Sequence, residues 1–135
     1  KKALYADTDP TTRFEILSEN GRTRYFALGE LADRITRITP GQKVSYVADV
    51  AYTPANVKKI ISLAKNSDHL FIEAAFLEAQ RDLAAEKRHL TARQAGEMAA
   101  RCGARQYTIF HFSPRYQGQE DLLYREADEA YALNL

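Results

Sequence analysis

Two kinds of apolar pattern run along the chain, and the first predicts a β-hairpin. In RFEILSENGRTRYFAL, β-branched and aromatic residues stand on both sides of Asn20-Gly21. An Asn-Gly pair between two such runs favours a tight turn, because both residues tolerate the backbone conformations that hairpin turns need. We therefore predict a β-hairpin over residues 13–28.

The segment after the hairpin has helical spacing. Leu31, Ile35 and Ile38 recur three and four residues apart, which places them on one face of a helix. Pro40-Gly41 then ends this helix, because proline cannot continue the hydrogen-bond ladder and glycine favours a turn. The sequence up to residue 41 thus predicts a hairpin followed by one helix.

From residue 43 onward, short apolar runs alternate with amphipathic segments. The order strand–helix–strand–helix–helix–strand–helix is typical of a layered α/β fold, in which helices cover the strands. Thr91 stands where it can cap one of these helices, and the last helix is expected to pack on the sheet. The predicted strands are KVSYVADV, HLFIEAAF and QYTIFHF, the predicted helices are PANVKKIISLAKNS, LEAQRDLAAEKR, LTARQAGEMAARCGA and QEDLLYREADEAYAL, and the residues of the last helix expected on the sheet are Leu122, Leu123, Ala127 and Ala130.

Composition narrows the class of protein. The 135 residues suit one domain, and the formal net charge of +1 gives no general attraction to nucleic acid or to an anionic membrane. No run reaches the roughly 18 apolar residues of a membrane span, and the single Cys102 excludes an intrachain disulfide. We expect a cytoplasmic protein in which Cys102 is a small buried residue. Because the chain starts with Lys1 rather than methionine, we also expect a piece of a longer protein.

Ionisable residues follow each predicted strand of the α/β part. Asp49 comes after SYVA, Glu73 after LFI and His111 after YTIF, while His89 precedes a predicted helix. Ligands of layered α/β folds bind at the carboxyl ends of strands, so these side chains are expected at one edge. Imidazole nitrogens and carboxylate oxygens are both zinc ligands, which makes metal binding the chemistry that suits this set.

Residue types alone leave a second interpretation open. Asp49 and His111 give only two ligands, and a buried histidine paired with a carboxylate is the simpler interpretation. The sequence contains no Cys-x-x-Cys, no glycine-rich phosphate loop and no Gly-x-Ser-x-Gly. The third histidine, His69, begins a strand after NSD and is assigned a loop or capping role.

A long stretch of the chain resembles a known family. KVSYVADVAYTPANVKKIISLAKNSDHLFIEAAF and HLTARQAGEMAARCGARQYTIFHFSPRY are similar to the C-terminal half of a metallo-β-lactamase-fold hydrolase, and within it to the ribonuclease Z group of tRNA 3′-processing endonucleases. The most specific part is His89-Leu90-Thr91, followed by an alanine-rich helix and HFSPRY. The resemblance implies an α/β fold: half of an αββα sandwich, a mixed sheet flanked by helices, with residues 1–135 as one unit.

The resemblance also implies a role for each residue at the strand ends. Asp49 matches the aspartate that bridges two zinc ions, and His111 matches the last histidine ligand. His89 matches a histidine that protonates the leaving 3′ oxygen, and Glu73 matches a carboxylate that orients it.

The substrate follows from the same resemblance. Ser113 and Arg115 match the segment that lines the scissile-phosphate pocket, where the planar guanidinium suits a phosphate oxygen. The implied reaction is hydrolysis of a phosphodiester through a metal-bridging hydroxide. The implied partners are tRNA or another phosphodiester substrate and a second copy of the protein in a homodimer, with no membrane.

Departures from the family pattern indicate that this chain cannot act alone. His-x-His-x-Asp-His, which supplies most zinc ligands in the family, is absent from the sequence, as is the histidine that precedes the bridging aspartate. Two ligands cannot hold two zinc ions, so we expect the N-terminal half of the same protein to supply the others. Val50 stands where the family usually has threonine, which leaves the substrate more open.

Three alternatives remain at this stage. In the first, the chain is a degenerate relative rather than a fragment. In the second, the complete hydrolase acts on a small ester, a sulfate or a cyclic phosphodiester. A reading of another class makes it a non-catalytic interaction module with structural histidines. That reading predicts no metal uptake even when a complementary half is present.

Overall fold

The computed structural model describes residues 8–37, 39 and 41–135 of the chain. They belong to two compact units, Lys1–Gly41 and Gln42–Leu135. The assignment of residues 1–135 to one domain stays a prediction. None of the helices in the described ranges is long and apolar enough to cross a membrane.

The first unit contains the expected hairpin. Strands β1 (Arg13–Leu17) and β2 (Thr23–Ala27) pair antiparallel. The connecting loop turns at Gly21, whose φ of 75° suits glycine, and the Gly21 amide donates to the carbonyl of Ser18 over 2.8 Å. Helix α1 (Leu28–Ile35) follows directly, as its apolar spacing predicts. Of the predicted helix end, Ile38 and Pro40 lie outside the described residues.

A parallel sheet forms the centre of the second unit. Strands β3 (Val44–Val47), β4 (His69–Glu73) and β5 (Tyr107–Phe110) lie side by side in sequence order. Parallel neighbours need crossover connections, which helices supply here. The helices of this unit are α2 (Pro54–Ala64), α3 (Arg81–Lys87), α4 (Ala92–Arg101) and α5 (Glu120–Leu133), with 3₁₀ turns at Glu78–Gln80 and Pro114–Tyr116.

The predicted α/β class and order of elements are confirmed. In place of one mixed sheet, the described residues form two sheets: an antiparallel pair of strands in the first unit and three parallel strands in the second. The sheet packs on helices through alternate strand residues. The largest fully buried apolar side chains of the unit are Leu70, Ile72, Leu90, Met98 and Leu123.

Cys102 occupies the position that composition predicts for it. Its side chain is buried at the end of α4, and its thiol points toward the Ile60 carbonyl of α2. Burial raises the pKa of the Cys102 thiol, which disfavours the thiolate that a nucleophile needs. Cys102 is therefore a packing residue of the core.

The last helix packs differently from the expectation. Of the four residues expected on the sheet, Leu123, Ala127 and Ala130 are buried and Leu122 is half-buried, but the main partner of α5 is α4 rather than the sheet. A Cβ atom added at Gly96 of α4 would lie 2.0 Å from the carbonyl oxygen of Ala127. Helix α5 contacts the sheet beside this close contact of the two helices, where Tyr131 stacks on Tyr107 with ring centroids 4.9 Å apart. The glycine and alanines let two helix backbones meet, so α5 is positioned by α4.

We expect Gly96→Ala to lower the free energy of unfolding by about 3 kcal/mol, because backbone must move to admit the methyl group. Gly41→Ala is the control, since a Cβ there meets nothing within 4 Å. Urea denaturation followed by circular dichroism measures both variants. Equal stability of Gly96→Ala and the unsubstituted chain would show that α4 and α5 are not in backbone contact.

Candidate metal centre

The candidate centre is built around the buried carboxylate of Glu73, at the end of β4. This side chain is completely inaccessible to solvent. Its Oε2 accepts the amide of Asp49 at 3.0 Å, and its Oε1 accepts the amides of Val50 and Leu90, each at 3.1 Å. Because a buried carboxylate is costly without partners, these amides compensate for the water that Glu73 loses.

Two histidines complete the shell of Glu73. Nδ1 of His89 lies 3.0 Å from Oε2 of Glu73, and Nδ1 of His111 lies 3.1 Å from the same oxygen. The carboxylate already accepts backbone N–H groups, so each imidazole donates from Nδ1. The ring centroids are 5.1 Å apart and the rings are perpendicular. Nε2 of each ring is therefore left for a metal, a substrate or a proton.

Asp49 brings a second carboxylate to the same place. It follows β3, its Oδ1 lies 3.8 Å from Nδ1 of His111, and 75% of its side chain is exposed. One donor atom from each of Asp49, Glu73, His89 and His111 fits within a cluster whose atoms lie within 4.8 Å of one another. The structure thus brings the three residues that follow the strands, together with His89, to one edge of the sheet.

Unusual backbone conformations mark the same edge. Asp49 has φ of 53°, His111 has φ of 64° and Arg88, directly before His89, has φ of 62°. A non-glycine residue in the left-handed region costs about 1–2 kcal/mol, and such residues persist where surrounding contacts fix them. Of the four such residues described, only Asn66 lies away from the centre.

A cavity of about 540 Å³ opens beside the histidines. Arg115 lines it and is held in place, because its Nη1 donates to Gln80 at 2.9 Å and its guanidinium carbon lies 5.3 Å from the ring centre of Phe76. Gln80 also accepts the hydroxyl of buried Tyr116 at 2.6 Å. The cavity wall is thereby fixed to the core, and its lining residues are Ala75, Phe76, Lys87, His89, His111, Phe112, Ser113, Pro114 and Arg115.

The start of α4 fixes the backbone beside His89. Thr91 caps the helix: its hydroxyl oxygen accepts the Gln94 amide at 3.2 Å, and the Gln94 side chain accepts the Thr91 amide at 3.0 Å. This is a capping box, which satisfies two amides that the first helical turn leaves free. Glu126 of α5 accepts the amides of Glu78 and Arg93 at 2.8 and 3.1 Å. Two helices therefore hold the segment that carries the histidine.

The sequence predicted most residues of this centre but missed some. Ser113 and Arg115 line the cavity beside the histidines, and their role toward a phosphate stays a prediction. His69, for which a loop or capping role is predicted, is the first residue of β4; it pairs with the Thr108 hydroxyl at 2.8 Å and lies outside the candidate centre. Lys87 lines the cavity and was not identified, although its place two residues before His89 was a usable signal. Glu126 was missed as well, since nothing local in the sequence links it to α4.

The fold and these residues define a class of protein. The family of the Beta-lactamase superfamily domain matches residues 12–112. The chain belongs to this family, as its strand-end residues and HFSPRY motif led us to expect.

Two relatives show which members of the superfamily this chain resembles. The chain is 45% identical over 92 residues to the ribonuclease Z of Thermobifida fusca, a match that covers 68% of this chain and 27% of that protein. It is 36% identical over 92 residues to the ribonuclease Z of Natronomonas pharaonis, covering 68% of the chain and 29% of the relative. The chain thus spans between a quarter and a third of the length of these relatives.

A solved structure supports the fold. The metallo-beta-lactamase fold protein YhfI from Bacillus subtilis superposes with a TM-score of 0.58 at 23% identity, over 89% of this chain and 42% of that protein. At this identity the similarity concerns the fold alone. Together these findings confirm the resemblance to ribonuclease Z-like members of the superfamily.

We expect Glu73→Gln to lower the free energy of unfolding by about 3 kcal/mol, because an amide turns one acceptor oxygen into a donor that faces N–H groups. Glu129→Gln, on the exposed face of α5, is the control and should change stability by less than about 0.5 kcal/mol. Urea denaturation compares the two variants. Similar stabilities would contradict the role of Glu73 as the common acceptor.

Proposed function

We propose that this chain forms part of the active site of a zinc-dependent, ribonuclease Z-like phosphodiesterase. The observation that carries the proposal is the convergence of Asp49, Glu73, His89 and His111 beside a cavity with a basic wall. The similarity to proteins named ribonuclease Z supports a phosphodiester in RNA as the substrate. In the complete protein the activity is that of a hydrolase.

The donor set fits a metal in part. Asp49 offers an exposed carboxylate and His111 offers Nε2, since Glu73 holds the Nδ1 proton of that ring. Glu73 itself is an unsuitable ligand, because both of its oxygens are occupied by N–H donors. Zinc needs about four ligands at each ion. The remaining ligands come, in this proposal, from a segment of the same protein outside these 135 residues.

Bound zinc would supply Lewis acidity and an activated water molecule beside Asp49 and His111. The chain's own residues then orient the substrate and move a proton. Arg115, fixed by Gln80 and Phe76, offers its remaining N–H groups to a phosphate oxygen. Ser113, on the same wall, offers a hydroxyl to the same group.

His89 is the proton donor in this scheme. Its side chain is only 25% exposed, and the buried negative charge of Glu73 provides the partner that an imidazolium needs. With Nδ1 bound to Glu73, Nε2 carries the proton that goes to the leaving oxygen. Glu73 acts through His89 and is a positioning residue.

The partners follow from the same proposal. The substrate is tRNA or another RNA phosphodiester, the N-terminal half of the protein completes the metal site, and assembly as a homodimer stays a prediction. Zinc content and hydrolysis rate of substituted proteins distinguish a catalytic role of the histidines from a purely structural one.

We expect Asp49→Ala and His111→Ala, each in the complete protein, to lose bound zinc and phosphodiesterase activity. His89→Ala should keep its zinc and slow hydrolysis by about 10²–10⁴-fold, the usual contribution of a general acid. Elemental analysis of the purified protein gives the zinc content, and cleavage of an RNA substrate gives the rate.

The matched control is His69→Ala, which removes a histidine outside the centre and should leave zinc content and rate nearly unchanged. Loss of zinc from His89→Ala equal to that from His111→Ala would disprove the separate roles. Unchanged zinc and rate in all variants would establish the histidines as structural.

A further inference from the structure

We propose that Lys87 binds the phosphate next to the scissile one, so that the site selects a chain of phosphodiesters over an isolated phosphodiester. The proposal rests on the phosphodiesterase function above and adds to it a residue that determines specificity. Lys87 lines the same cavity as His89, His111 and Arg115. With about 540 Å³, this cavity is larger than a phosphate group needs and has the size of a nucleotide-scale ligand pocket.

The backbone fixes Lys87 relative to the proton donor. Helix α3 ends at Lys87, and the left-handed Arg88 reverses the chain, with its amide directed to the carbonyls of Ala84 and Ala85. The His89 amide then donates to the Ala84 carbonyl at 2.8 Å. This pattern of bonds closes a helix in a fixed turn. Lys87 and His89 therefore stand on either side of this hydrogen-bonded turn, and both line the cavity.

The positive charge at this wall is largely available to a ligand. The ion-pair partner of Lys87 among the described residues is Glu86, at 3.0 Å, and both side chains are more than half exposed. Such an exposed pair contributes about 0–1 kcal/mol and exchanges readily for another partner. Arg115 takes part in no ion pair within the described part of the chain. An anion that enters the cavity thus meets two cations.

Besides Glu86, two carboxylates lie beside the histidines of the cavity, and neither is left to neutralise this charge. Glu73 is fully buried behind the imidazoles that it binds. Asp49, with His111, is assigned to the metal. Since Arg115 and Ser113 serve the scissile group, Lys87 is the cation left for a neighbouring phosphate. A linear RNA presents that second charge, and a substrate with a single phosphodiester does not.

The test compares two substrates in the complete, zinc-loaded protein: a single-stranded oligoribonucleotide and an aryl phosphodiester with one phosphate. Lys87→Ala should raise KM for the oligoribonucleotide roughly fivefold with little change in kcat, and should lower the slope of log(kcat/KM) against log salt by about 0.7, as expected for one lost contact. Hydrolysis of the aryl ester should not change. Lys87→Arg should restore most of the affinity.

Lys59→Ala is the matched control, because Lys59 is an exposed lysine on α2 that does not line this cavity. It should leave KM and the salt slope unchanged. Unaltered KM and slope in Lys87→Ala, or an equal loss with both substrates, would overturn the proposal while the hydrolase function stands.

A binding measurement tests the phosphate subsite at Lys87 separately from the proposed hydrolase function. Fluorescence anisotropy with the same oligoribonucleotide in EDTA measures affinity without catalysis. If the unsubstituted protein hydrolyses neither substrate, the proposed function fails. A weaker affinity of Lys87→Ala than of Lys59→Ala would still support the phosphate subsite, and equal affinities would overturn it.

Discussion

The centre of this protein depends on one carboxylate that has no access to water. Glu73 accepts hydrogen bonds from backbone and side-chain donors of three different connections: the loop after β3, the segment before α4 and the residue after β5. An unpaired charge in this position would cost several kcal/mol. The three connections are therefore stable in these positions only when all of them donate to the two oxygens of Glu73. One residue of the central strand thereby defines where the loops of its two neighbours lie.

The geometry of these connections has a backbone cost. Asp49, Arg88 and His111 adopt left-handed conformations that their side chains disfavour. Asp49 and His111 turn the chain where it leaves the sheet, and Arg88 turns it between α3 and α4. Each turn lets an amide or an imidazole face Glu73. The hydrogen bonds to a buried charge offset this strain, since they are among the stronger ones in proteins. The hydrogen bonds to Glu73 therefore keep this one arrangement stable although its backbone is strained.

Much of this arrangement follows from the sequence. The strands of the second unit are short apolar runs, and parallel strands end at one edge, which is enough to bring Asp49, Glu73 and His111 together. The resemblance predicts that Glu73 orients His89, whereas the hydrogen bond of His111 to the same oxygen was not predicted, because it depends on the turn of the backbone at His111 itself. Lys87 was missed although it stands two residues before His89, because only the turn at Arg88 brings its side chain to the same cavity. The close backbone contact between α4 and α5 was also missed, since Gly96 indicates such a contact only once its neighbour Ala127 is known.

The last helix illustrates how a remote element takes part in the centre. It contributes no side chain to the cavity lining, yet Glu126 holds the amides of Glu78 and Arg93, and Ala127 covers Gly96. A shortened version of the chain that ended before residue 120 would leave the small-residue face of α4 in water and free both amides. Expression of a minimal unit for crystallography or for fragment complementation must therefore retain this helix, even though every candidate residue of the centre precedes it.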